Sequence, residues 1–306
     1  SRGDVGEPSH PLHCGTIALS GCTTGDQAPS NQVQDKKKLC GPRDNYMYGE
    51  WREVDAPFPY EYHNVSSQCW APQDRRQDCG HYAKNFAWSP TYCRLLPFSP
   101  CGFCRVLAGR RVLIVGDSQA RELWVSLCRN MQGSTQDCFP PEHLWNPFLH
   151  TPAARTVSIC EGSSLTFVPD PLLRRELSDW LPLLAQTEVV IFGVGVHAVA
   201  AEEWQANVWG LLDVLLPALR PDAAVFWKVA NRGNPDCHQY KLPFRPGEFD
   251  YADRNVPSSW SWGEVSLRNQ IARQSVAARG VYVVDVEEML QARGDAHVGW
   301  DWGLPG

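Results

Sequence analysis

No run of apolar residues in this 306-residue chain is long enough to cross a membrane, and no basic-then-apolar leader stands at its start. The expectation is that a leader has been removed ahead of Ser1. A cationic surplus is also missing. With 28 Lys and Arg against 34 Asp and Glu, the net charge is −6, which argues against the basic face of a nucleic-acid binder. The single basic run, Lys36-Lys37-Lys38, sits in a polar stretch and reads as solvated. Finger-like cysteine spacing is absent as well. Cys101 and Cys104 form the one Cys-x-x-Cys, with no second pair at zinc-finger distance, and His143 and His150 are isolated, so no metal is expected. There is no internal repeat.

Cysteine itself is abundant. Twelve of them without zinc spacing imply a disulfide framework made in an oxidising compartment. Asn64-Val65-Ser66 is a glycosylation sequon, which makes Asn64 the expected acceptor and agrees with a secreted, extracellular or Golgi-lumenal location.

Texture divides the chain in three. Residues 1–39 are polar and read as an arm, pinned if Cys14 and Cys22 pair. Residues 40–106 carry Cys40, Cys69, Cys79, Cys93, Cys101 and Cys104 among prolines and aromatics. That composition suits a loop-rich, disulfide-stapled subdomain without long regular elements. Trp51, Trp70 and Trp88 either line a sugar-binding face or fill a small core between disulfides.

Residues 107–306 alternate strand and helix signals. Buried strands are expected at Val112–Val115, Glu188–Val194, Ala223–Val229 and Val281–Val286, with a short one at Ser164–Val168. Helices are expected at Gln119–Met131, Pro171–Leu184, Ala200–Leu216 and Trp262–Arg279. A Pro- and Cys-rich connection through Cys138 and Cys160 joins the first helix to the short strand. Strands separated by helices imply βαβ crossovers, a mainly parallel sheet and helices on both faces: an α/β, three-layer αβα sandwich.

The chain is organised around Gly116-Asp117-Ser118, where the first of these strands turns into a helix. Ser118 there is either a helix cap or a nucleophile at a strand's carboxyl end, beside backbone N–H groups able to stabilise an oxyanion. Glu202-Glu203 and Glu287-Glu288 are adjacent acidic pairs at helix starts, where carboxylates favour the macrodipole, rather than an acid–base pair.

Further segments flank that turn in a recurring order. Cys40, Gly49-Glu50-Trp51, Cys69, Cys79, Trp88-Ser89-Pro90-Thr91-Tyr92-Cys93 and Leu107-Ala108-Gly109 precede it. Arg121, Cys128, Val189–His197, Phe226-Trp227-Lys228, Gly233–Cys237 and Arg293–Gly299 follow. In this order, over residues 40 to 306, the chain resembles the trichome birefringence-like polysaccharide O-acetyltransferases of the broader PC-esterase group, whose fold is SGNH-hydrolase-like. The resemblance implies a nucleophile at Ser118 that accepts an acetyl group and passes it to a glycan hydroxyl. It also implies a histidine base, an orienting aspartate and an oxyanion hole. No bound cofactor is implied, only an acetyl donor, and the expected partner is a glycan or polysaccharide.

Two departures bear on the chemistry. The family's Asp-x-x-His precedes Trp-Cys-Leu-Pro-Gly, whereas this chain ends Gly299-Trp300-Asp301-Trp302-Gly303-Leu304-Pro305-Gly306. Aligning Leu-Pro-Gly puts Asp301 at the histidine position and Val298 at the aspartate position. Aligning Asp295-Ala296-His297 as a contracted motif instead makes His297 the base and Asp295 its orienter, with Asp301 in support. The second departure is the loop Phe192–His197, which lacks the asparagine that SGNH-like sites use as an oxyanion donor. Gly193 or Gly195 would have to supply a backbone N–H, with His197 as a polar neighbour. Losing one such donor costs about 3–4 kcal/mol of transition-state stabilisation. Two functions therefore stand side by side: an O-acetyltransferase or carbohydrate esterase, and a non-catalytic glycan-binding or matrix- and surface-assembly protein on the esterase fold.

Overall fold

The computed structural model describes residues 37–41, 44–54, 86–132, 154–173, 180–197, 201–232, 242–244 and 264–293. Its organising element is β3 (Arg111–Gly116), whose Val112-Leu113-Ile114-Val115 run is buried throughout. Successive strand residues point to opposite faces. Leu113 and Val115 accordingly join one apolar cluster, while Val112 and Ile114 join another. A strand walled by apolar residues on both sides belongs inside a parallel sheet.

That sheet has six strands in the order β4-β5-β3-β6-β7-β8, comprising β4 (Arg155–Cys160), β5 (Ser163–Pro169), β6 (Val189–Gly193), β7 (Ala224–Lys228) and β8 (Tyr282–Val284). Every pairing is parallel except β4 with β5. On one face α1 (Pro100–Leu107) and α2 (Ser118–Gln132) set Cys104, Leu107, Trp124 and Val125 against Val112 and Ile114. On the other face α3 (Leu181–Leu184), α4 (Ala201–Ala218) and α5 (Val265–Ala277) pack onto Leu113, Val115, Val190 and Phe192. This is the expected α/β sandwich of three layers, consistent with an SGNH-like fold. Its second face is knitted by aromatics: Phe192 stacks on Trp227 at 5.8 Å, and Trp204 meets Trp227 edge-on at 6.2 Å. Edge and offset contacts of this kind add to the area that each ring buries.

Three expectations need correction. Pro171–Leu184 is not one helix: residues 171–173 form a turn in which Leu173 takes φ 51°, and the described helix is only Leu181–Leu184. The left-handed conformation at Leu173 cannot continue a helix. The connection before β5 contains a further strand, β4, half-exposed at the sheet edge. The last strand is Tyr282–Val284, shorter than Val281–Val286.

Among the described residues of 40–106 the regular elements are short. β1 (Gly49–Glu53) and β2 (Phe86–Pro90) pair antiparallel, with Trp51 opposite Trp88. The two rings meet edge-on at 5.5 Å; Trp51 Nε1 donates to the Met289 carbonyl and Trp88 Nε1 to that of Tyr46. Arg293 stacks over Trp51 at 4.5 Å. The two tryptophans therefore serve packing. Trp70 lies outside the described residues, as do Asn64, Cys14 and Cys22. The strand pair thus docks on α6 (Glu287–Gln291), at Met289, and on Arg293 two residues beyond it.

Disulfides join Cys40 to Cys93 and Cys104 to Cys160, and Cys101 and Cys128 are disulfide-bonded too. Lys37 and Lys38 are not simply solvated: Lys37 donates to the Pro90 carbonyl and Lys38 pairs with Asp44 at 2.7 Å. Among the described residues, no helix is long and apolar enough to cross a membrane.

Candidate active site

The chain runs from β3 to β5 on one side, then crosses to β6 on the other. Where connections leave a central strand in opposite directions, a crevice opens at the carboxyl ends of the strands. Gly116-Asp117-Ser118 stands at that point, between β5 and β6. The Gly116 carbonyl accepts from Asp170 N–H at 2.9 Å, and Asp117 N–H donates to the Gly193 carbonyl at 3.2 Å. Gly116 is required sterically. A Cβ there would collide with the Gly193 carbonyl oxygen and lie 2.7 Å from the Ala120 Cβ.

Asp117, not Ser118, caps α2. Its Oδ1 accepts from Gln119 N–H at 2.9 Å, the N-cap geometry, and its backbone carbonyl accepts from Arg121 N–H. Its other carboxylate oxygen accepts from Val196 N–H at 3.4 Å, tying the loop after β6 to the turn. Ser118 is thereby released from capping. It is exposed, it opens a fifteen-residue helix, and its hydroxyl makes no hydrogen bond to the described residues.

The surroundings of the turn are charged and enclosed. Burial pushes the Asp117 carboxyl above its usual range, against the lowering effects of the Gln119 and Val196 N–H groups, His197 and Lys228. Burial lowers Lys228 to about 8, opposed by the Asp117 charge. The Lys228 ammonium donates to the Val229 carbonyl at 3.0 Å and to Asn231 Oδ1 at 2.9 Å.

The structure brings Ser118, Gly193, Gly195, His197 and Arg121 to this end of the sheet. Gly193 faces the turn with a carbonyl acceptor, and the Gly195 carbonyl accepts from the buried Arg268 at 3.3 Å. His197 is half-buried and acts electrostatically on Asp117. Arg121 pairs with Glu122 on α2. His297, Asp295 and Asp301 lie outside the described residues. Glu287 is more than a helix-start carboxylate, being buried and paired with Arg232 and Arg273 at 2.6 Å.

Sequence reasoning missed Asp117, Lys228, Gln119 and Asn231. For Asp117 a signal was present: aspartate is a preferred N-cap immediately before a helix. For the others none was: Lys228 and Asn231 bond each other locally, but what ties them to the turn, Gln119 and Asp117, lies more than a hundred positions away.

No protein-family model matches the chain. Two curated proteins of Arabidopsis thaliana do. Trichome birefringence-like protein 36 is 26% identical over 214 residues, which is 68% of this chain and 50% of that protein. Trichome birefringence-like protein 39 is 31% identical over 101 residues, 32% of this chain and 27% of that protein. The chain thus spans half the length of the first relative and about a quarter of the second. Among solved structures, a small COPII coat GTPase of Encephalitozoon cuniculi with GDP aligns at 14% identity and a TM-score of 0.32, over 63% of this chain and 76% of that one, too loosely to bear on fold or function. By sequence, this chain is similar to two trichome birefringence-like proteins over half or less of their length.

Proposed function

We propose that the protein is a carbohydrate O-acetyltransferase or acetylesterase that works through Ser118 on cell-wall or surface glycans, in a secreted or Golgi-lumenal setting. One observation carries this reading: the Ser118 hydroxyl is exposed at the topological switch point while Asp117 takes over the capping of α2. In the reaction, Ser118 Oγ attacks the carbonyl carbon of an acetyl donor, the donor's leaving group departs, and an acetyl-serine forms. A glycan hydroxyl, or water for an esterase, then attacks that ester and regenerates the serine. The Oγ proton passes to a base. His297 oriented by Asp295 is the assignment that follows from the family pattern, with Asp301 in support. The N-terminus of α2 and the Ser118 N–H favour the developing oxyanion. The disulfides suit an oxidising compartment.

The test is acetyl transfer from an activated acetyl ester to oligosaccharide acceptors, with fluorophosphonate labelling in parallel. Labelling at Ser118, and loss of both signals in Ser118→Ala, is the expected result. A second reading draws on the loop after β6, where the Gly193 carbonyl and Val196 N–H are already engaged and no asparagine is present. On that reading the protein binds glycans without transforming them. Glycan binding that survives Ser118→Ala, with no acetyl-serine from any donor, would establish it.

A further inference from the structure

Directly after β7, the backbone N–H and carbonyl groups of Val229, Ala230 and Asn231 are all partnered. Val229 N–H donates to the Val284 carbonyl, and the Val229 carbonyl accepts from the Lys228 ammonium. Ala230 exchanges two hydrogen bonds with the Asn269 side chain of α5, N–H to Oδ1 at 3.0 Å and carbonyl from Nδ2 at 2.9 Å. Asn231 does the same with the Gln119 side chain of α2, N–H to Oε1 at 2.7 Å and carbonyl from Nε2 at 2.9 Å. Two side-chain amides, from helices on opposite faces of the sheet, thus grip consecutive peptide units. Each amide has only one workable orientation, because a flip would set donor against donor and acceptor against acceptor. Lys228 locks the same loop from below by donating to Asn231 Oδ1.

Gln119 directly follows Ser118. Its backbone N–H is held by Asp117 and its side chain by Asn231. We propose that Gln119 is a positioning residue that fastens the Ser118 turn to the loop after β7, so that the hydroxyl is presented over the crevice at a set distance from that wall. This rests on Ser118 being the nucleophile. A hydroxyl that must approach a carbonyl carbon along a narrow path loses rate steeply when its turn can shift by about 1 Å.

The isosteric variant Gln119→Glu makes the inference testable. Ionised, it presents two acceptors, one of them to the Asn231 carbonyl, and the clasp opens. Protonated, it again offers one donor and one acceptor, and the clasp closes. Fluorophosphonate labelling of Ser118 would be timed in wild type, Gln119→Ala and Gln119→Glu between pH 7.5 and 5, with Ser118→Ala as blank. Both variants should label roughly tenfold or more slowly than wild type at pH 7.5. Relative to wild type, Gln119→Glu should recover as pH falls while Gln119→Ala stays low. Hydrogen exchange at the Asn231 amide should be faster in Gln119→Ala whatever Ser118 does. Equal labelling of all three Ser118-containing proteins at every pH, or unchanged Asn231 exchange, would overturn the positioning role. Absence of labelling in wild type itself would overturn the nucleophile assignment instead, and the exchange measurement would then decide the clasp alone.

Discussion

Asp117 and Lys228 hold opposite charges against a common desolvation penalty at the carboxyl end of the sheet. Burial raises the carboxyl and lowers the ammonium to about 8, and each charge opposes the shift of the other.

For Lys228 the pH dependence has a definite sign. Its pKa in the fold lies near 8 against a usual 10.5, so between those values the unfolded chain binds more protons than the native one. Stability therefore rises with pH across that window, by at most about 3.5 kcal/mol at ~1.4 kcal/mol per unit. Urea unfolding of wild type and Lys228→Met at pH 7.5, 9 and 10 should show a rise in wild type that the variant lacks. A parallel pair of profiles would contradict the assignment.

Asp117 gives the opposite trend on the acid side. Its raised pKa means that the native state takes up a proton before the unfolded chain does, so its contribution to stability grows as pH falls from that value towards 3.8. Wild type should gain on Asp117→Ala as pH is lowered through this range. At neutral pH the same variant should lose about 1–2 kcal/mol from the missing cap. Guanidinium titrations at pH 4 and 7 would read both effects.

Gly116→Ala should destabilise the protein by about 1–3 kcal/mol, because the new methyl meets a carbonyl and the Ala120 methyl rather than open space. Gly109→Ala is a useful contrast: its φ of 83° strains any side chain, yet nothing lies within 4 Å of the added Cβ. Since the Gly116 clash displaces the turn itself, thermal unfolding should be accompanied by reduced Ser118 labelling in Gly116→Ala only.

The two central tryptophans should respond unequally to phenylalanine. Trp204 Nε1 donates to the Arg268 carbonyl at 3.1 Å, whereas Trp227 Nε1 is buried with no hydrogen-bond partner among the described residues. Trp204→Phe should therefore cost about 1 kcal/mol more than Trp227→Phe, the net worth of one hydrogen bond. Chemical denaturation of the two variants decides it.

Much of the fold was legible because its signals are local. The continuous apolar run of β3 could be buried only in a parallel sheet, and the Trp204, Val208, Leu211, Leu212, Leu215 stripe could be only one face of a helix. The same logic misled at Leu173, Leu177, Trp180 and Leu184, whose spacing imitates a helix. Leu173, Trp180 and Leu184 do reach the core, but Leu173 does so from a turn with left-handed backbone. β4 escaped notice because an edge strand alternates exposed and half-buried residues and carries no long apolar run.

By itself, the sequence determined the layered architecture, a disulfide framework and the placement of Ser118 at a strand-to-helix turn. All three follow from residue type and short-range spacing. Only the tertiary structure decided which side chain caps α2, and that the charges of Lys228 and Asp117 act on each other. It also decided that Gln119 grips Asn231, 112 positions away. Hydrogen bonds and charges act over a few ångströms, and closing such distances depends on how the whole sheet brings its strand ends together.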